Sequence, residues 1–193
     1  MTPSRPVIVV SGLPRSGTSM AMQMLAAGGF PTMSDALRAA DADNPRGYLE
    51  FEPVKQLRRD NSWVASAQGR AVKVIHLLLT ELPEDLDYRI IFMDRDLSEV
   101  IRSQAVMLGR SGKSGGGLTP ERMMAAYEAQ LTSVFAWLAA RPRFRVLRLS
   151  HAECVTNPRA AAAAINAFVG GGLDESKMIV AVDPALHRNR AGG

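Results

Sequence analysis

The first apolar run of the chain, Val7-Ile8-Val9-Val10, is continuous rather than alternating. That is the pattern of a strand buried on both faces. Residues 12–17 then read as a tight glycine-bounded turn, and residues 20–27 as a helix that is apolar at most positions. Three later runs predict further strands, at 71–76, 88–94 and 144–150. Between and after them the apolar spacing turns helical. Residues 52–67 predict a helix packing through Val54, Leu57, Trp63 and Val64, and 77–82 a short one. Another helix follows Arg95, with Asp96 as N-cap and Glu99 three residues on. A long helix starts at Thr119-Pro120-Glu121, with Met124, Tyr127, Leu131, Phe135 and Leu138 facing the core. Residues 157–168, with Pro158 at the first turn and Gly170-Gly171-Gly172 as the stop, and residues 174–182 complete the set. Strands alternating with helices predict a three-layer α/β fold with a mainly parallel sheet flanked by helices, in one domain over 1–193. Ligands of such sheets bind at the carboxyl ends of the strands. Residues 30–46, rich in Asp, Ala and turn formers, predict a loop over the sheet edge. Residues 110–117 predict a flexible linker, either a mobile lid or a surface loop.

The stretch Ser11-Gly12-Leu13-Pro14-Arg15-Ser16-Gly17-Thr18-Ser19 carries the first candidate chemistry. A strand, a glycine-bounded loop and a helix in that order make a phosphate cradle, with loop amides and the positive end of the helix dipole facing the anion. The spacing G-x-x-x-x-G is that of a P-loop, but Thr18-Ser19 stand where a nucleotide triphosphatase has lysine and a hydroxyl residue. The cation lies inside the loop instead, at Arg15.

Composition adds two constraints. The net charge of +4 is carried almost wholly by arginine, since the 23 basic residues include only Lys55, Lys73, Lys113 and Lys177 as lysines. Arginine suits a multiply anionic ligand because it pairs with phosphate through two parallel hydrogen bonds. There is no lysine-rich run and aromatics are 6%, which argues against a nucleic-acid partner. The single cysteine, Cys154, allows no internal disulfide and fits a reduced, cytoplasmic setting. Arg15 interrupts the first apolar run, and no stretch is long enough to span a bilayer, so neither export nor membrane insertion is expected.

The segment Pro14-Arg15-Ser16-Gly17-Thr18-Ser19 resembles the 5′-phosphosulfate loop of sulfotransferases that use 3′-phosphoadenosine-5′-phosphosulfate (PAPS). The local match is closest to the protein-tyrosine sulfotransferases, which also carry an arginine there. A second resemblance is Arg95 with Ser103 eight residues later. In the family an arginine just past a strand and a serine at that spacing bind the 3′-phosphate. Asn44-Pro45-Arg46-Gly47-Tyr48-Leu49-Glu50 is similar to a segment that follows the phosphosulfate loop in many bacterial sulfotransferase-like proteins. Ser150-His151-Ala152-Glu153 resembles a stretch whose aromatic lies near the adenine, with His151 in its place. The basic tail with Arg188 and Arg190 is loosely similar to the segment that closes over the 3′-phosphate.

The resemblance implies in-line transfer of a sulfuryl group from PAPS to an acceptor hydroxyl or amine, leaving 3′-phosphoadenosine-5′-phosphate (PAP) and needing no metal. Pro14 to Ser19 would hold the 5′ end, and Arg15 and Lys73 would stabilise the charge on the leaving oxygen. Lysine is costly in an apolar run unless it ends the strand or meets an anion. The base is Glu50 or His76. In cytosolic sulfotransferases the pattern is K-x-H with a histidine base. Here Lys73-Val74-Ile75-His76 has one residue more, which turns His76 to the other face of an unbroken strand. Glu50 is therefore the expected base, as a glutamate is in the protein-tyrosine enzymes, and His76 stays open, either as base or as a structural histidine. The acceptor would be a small molecule or a peptide, and a homodimer is left open. Two other readings remain. One is a P-loop kinase using ATP and Mg²⁺, with Asp94 as the acid that ends a strand. The other is a nucleotide-binding module without catalysis.

Overall fold

The computed structural model describes residues 5–35, 47–110 and 119–183. Four strands, β1 (Val7–Gly12), β2 (Ala71–Lys73), β3 (Tyr88–Asp94) and β4 (Phe144–Ser150), form a sheet in the order β2-β1-β3-β4. Every pairing is parallel, with Ile8 opposite Ala71, Val7 opposite Tyr88 and Tyr88 opposite Phe144. The helices are α1 (Thr18–Ala27), α2 (Leu97–Arg110), α3 (Pro120–Ala139), α4 (His151–Thr156), α5 (Pro158–Val169) and α6 (Glu175–Ala181).

The layers follow from strand alternation. Val7 and Val9 of β1, with Tyr88, Ile90 and Phe92 of β3, face a core closed by Val134 and Leu138 of α3 and by Val54, Leu57 and Val64. Ile8, Val10, Ile91 and Met93 face the opposite core, closed by Met22 and Leu25 of α1, Ile165 of α5 and Met178 of α6. Burial of both faces explains why β1 reads as an unbroken apolar run. The caps that sequence predicts are present. Thr119 Oγ1 accepts from the Arg122 amide at 3.4 Å and Asn157 Oδ1 from the Ala160 amide at 3.2 Å. Gly170 closes α5 with φ of 114°. No helix of the described residues is long and apolar enough to cross a membrane.

Three expectations are corrected. The helix predicted over 52–67 is two short 3-10 turns, Glu52–Gln56 and Ser62–Ala67. Between them Asp60 Oδ1 accepts from the amide (3.0 Å) and hydroxyl (2.6 Å) of Ser62. Such a local turn competes with helix propagation, and Val54, Leu57 and Val64 still reach the core. The strand predicted over 71–76 ends at Lys73. The Val74 amide still meets Val10 O at 3.0 Å, and a 3-10 turn begins at His76. In α3, Val134 is buried although the apolar spacing omits it, while Tyr127 donates its hydroxyl to Gln104 Oε1 of α2 at 2.6 Å. The segment after Phe30 does run beside the edge strand, with Met33 N to Ala71 O at 2.7 Å. Residues 36–46 and 111–117 of the two predicted loops lie outside the described residues.

Candidate active site

The loop between β1 and α1 has the backbone of an anion cradle. Gly12 has φ of 152°, and a Cβ there would collide with Ser16 Oγ and approach Met93 O to 2.7 Å. Arg15 and Gly17 take left-handed conformations, with φ of 69° and 98°. The Ser16 amide closes the turn on Leu13 O at 3.1 Å. Left-handed residues in such a turn direct successive amides to one side. Ser16 lies beneath, 1% exposed, and its Oγ has no partner among the described residues. A buried unpaired hydroxyl in a loop of this shape fits a phosphate-type ligand that brings acceptors to it. Gly17 is tight for a different reason. A Cβ there would sit 2.5 Å from His151 Cδ2, so the imidazole that opens α4 rests on the loop.

A cavity of about 360 Å³ opens at the carboxyl ends of the strands. Pro14, Arg15, Gly17, Thr18 and Ser19 form one wall, and Tyr48, Glu50 and Lys73 another. Arg95 and His151 border it as well. Lys73 ends β2 in register with Val10, and its side chain is 10% exposed. Its ammonium donates to Tyr48 O at 2.6 Å, Glu50 Oε1 at 3.2 Å and Ser19 Oγ at 3.4 Å, and lies 5.6 Å from the Tyr48 ring centre. The burial of an ammonium at a strand end is thereby compensated, as a lysine in that apolar run requires.

The second cluster joins the loop to α2. Arg15 Nε donates to Ser103 Oγ at 3.0 Å, and Arg95 Nη1 donates to Arg15 O at 2.9 Å. Arg95 Nε also pairs with Glu99 Oε2 at 2.9 Å, both side chains being under 10% exposed. The spacing of Arg95 and Ser103 thus does bring them together, with Arg15 between them. Ser103 is 2% exposed and does not border the cavity itself. Arg15 turns its guanidinium Nε toward α2 while bordering the cavity together with Lys73.

His76 is not brought to the cavity. It is 2% exposed, and its Nε2 meets Gln130 Oε1 of α3 at 2.8 Å. Burial pushes the imidazole below its ordinary range, and the Gln130 bond opposes this only in part. Asp94, the acid of the kinase reading, accepts from Arg148 Nε at 2.7 Å and does not border the cavity. Cys154 is buried, and burial pushes its thiol up to about 11, the environment of an inert cysteine. Arg188 and Arg190 lie outside the described residues.

Sequence reasoning missed three site residues. Gln23, a polar residue buried in an apolar helix, borders the cavity and donates to Gly47 O at 2.9 Å. Tyr48 supplies the carbonyl under Lys73. Glu99 reads in the sequence as half of a capping box. Asp96 Oδ1 does cap α2, accepting from the Ser98 and Glu99 amides at 2.9 and 3.2 Å, but the Glu99 carboxylate pairs with Arg95. Its i, i+4 spacing from Arg95 was the available signal.

Among solved structures the fold is that of the sulfotransferases. The chain is similar to retinol dehydratase in complex with androsterone and inactive cofactor PAP, with 16% identity, a TM-score of 0.54 and coverage of 93% of this chain and 64% of that one. It is similar to mouse sulfotransferase SULT7A1 complexed with PAP, with 16% identity, a TM-score of 0.56 and coverage of 92% and 62%. The sulfotransferase domain from the curacin biosynthetic pathway gives 12% identity, a TM-score of 0.55 and coverage of 98% and 93%. The chain thus spans under two thirds of the length of the first two. No protein-family model matches it, and no curated protein is significantly similar in sequence. At 12–16% identity what these proteins share with it is the fold.

Proposed function

We propose that this protein transfers a sulfuryl group from PAPS to the hydroxyl or amine of a small acceptor. The observation that carries the reading is one cavity bounded by the glycine-tight anion loop and by the Lys73–Glu50 pair. PAP in the two sulfotransferase structures and androsterone in one of them support the class of donor and acceptor.

When bound, PAPS supplies an activated sulfuryl group on a 5′-phosphate. The loop amides with Ser16, Thr18 and Ser19 would hold that end. Lys73, already in contact with Ser19, is the cation beside it and would neutralise charge on the leaving oxygen. Glu50 is the acceptor-side base. It borders the cavity and its Oε1 touches Lys73, so a proton taken from the acceptor stays beside the ammonium. Arg95, with Arg15 that Ser103 Oγ holds from behind, would take the 3′-phosphate, and His151 would lie against the nucleotide over Gly17. Pro14 shapes the loop's rim. A kinase reading is weaker, since the acid at the end of β3 is paired with Arg148 outside the cavity.

The test is release of PAP from PAPS across a panel of phenols, alcohols and amines. Acceptor-dependent release is expected. Lys73→Ala should lower kcat by about 10²–10³-fold. Tight PAP binding with no turnover on any acceptor would leave a binding module and contradict the proposal.

A further inference from the structure

Arg95 does not stand at the site alone. Its guanidinium is gripped on two edges. Glu99 Oε2 accepts from Nε at 2.9 Å, and the Arg15 carbonyl accepts from Nη1 at 2.9 Å. Asp96 fixes the start of α2 by accepting from the Ser98 and Glu99 amides, so Glu99 projects from a set backbone. The carboxylate is 7% and the guanidinium 8% exposed on their side chains. An acid beside a residue assigned to an anion is at first sight the wrong charge. It would repel a phosphate as surely as it attracts Arg95.

We propose that Glu99 is a positioning residue for 3′-phosphate recognition: its buried carboxylate fixes the Nε edge of Arg95 so that the guanidinium is held ready toward the nucleotide. The proposal rests on the PAPS reading of the site. The physical reason is preorganisation. An unclamped arginine loses rotamer freedom when it binds, and a buried guanidinium without its acid would turn to other acceptors. The repulsion between Glu99 and a phosphate is offset because the guanidinium lies against the carboxylate and shields it.

Orientation and charge make opposite predictions, which allows a test. The dissociation constants of PAP and of adenosine-5′-phosphate are measured by titration calorimetry for the wild type, Glu99→Ala, Glu99→Asp and Glu99→Gln. The readout is the ratio of the two constants, which reports the 3′-phosphate alone. Gln keeps the reach and an acceptor oxygen but not the charge. Asp keeps the charge and loses the reach. Positioning predicts that Ala and Asp lower the preference for PAP at least fivefold, that Gln retains most of it, and that adenosine-5′-phosphate binds all four proteins alike. Asp carries the test if Ala does not fold. An unchanged or increased preference in Ala or Asp would overturn the proposal, since Glu99 would then act only as a repelling charge or as packing. A wild type with no preference for PAP would overturn the PAPS reading itself and this inference with it, an outcome separable from the first.

Discussion

At Lys73 one ammonium meets three acceptors: the Tyr48 carbonyl, the Glu50 carboxylate and the Ser19 hydroxyl. That convergence ties the end of β2, the segment that carries Tyr48 and Glu50, and the start of α1 to one atom. The lysine was legible in the sequence because an ammonium inside an apolar run needs a partner. The direction of Arg15 was not, because the hydroxyl that meets its Nε belongs to Ser103 on α2, a contact between residues far apart in the chain. Two predictions belong here. Glu50→Gln should lower turnover by about 10²–10⁴-fold while PAP affinity changes little, as checked by steady-state kinetics beside calorimetry. His76→Gln should leave turnover near wild type, since His76 lies outside the cavity. The same variant tests the buried imidazole. Its folded value is pushed below the ordinary 6.5, so between the two values the unfolded chain binds more protons. Stability is therefore lost as pH falls through 6.5 toward the folded value. Urea midpoints at about pH 7.5 and 5.5 should fall less in His76→Gln than in the wild type, and parallel falls would contradict this.

Among the elements, β3 and β4 match their predicted bounds, although Arg89 interrupts the apolar run of the first and Arg145 and Arg148 that of the second. The stretch 52–67 does not, because its apolar positions suit the core equally well from two 3-10 turns, and Asp60 with Ser62 supplies a break that periodicity cannot reveal. The truncation of β2 at Lys73 has the largest functional consequence. It replaces the opposite-face geometry of an unbroken strand with a turn that carries His76 to Gln130. Two elements meet the phosphate loop directly, and each gives a prediction. Asp96→Ala removes the α2 cap and should cost about 1 kcal/mol in a urea melt. It should also weaken PAP more than adenosine-5′-phosphate, because Glu99 and Ser103 both ride on α2. Gly17→Ala forces a Cβ into His151 and a strained φ at once, so it should abolish measurable PAP binding in calorimetry while the circular dichroism of the sheet and helices persists.

At the scale of the whole molecule, a four-stranded parallel sheet places the loop after β1, Lys73 at the end of β2 and Arg95 just past β3 along one rim. The three cations thus come from three successive strand ends of a fold shared with the sulfotransferases. The measurement that tests this account most directly is a thermal-shift panel of PAP, adenosine-5′-phosphate, ATP and GTP, each with and without Mg²⁺. A ligand at about 100 times its Kd adds roughly 2.7 kcal/mol, which for a chain of this size is a rise of about 5–10 °C. The account predicts that rise for PAP, equal with and without Mg²⁺, and a smaller one for adenosine-5′-phosphate. A shift given only by ATP or GTP with Mg²⁺ would contradict it.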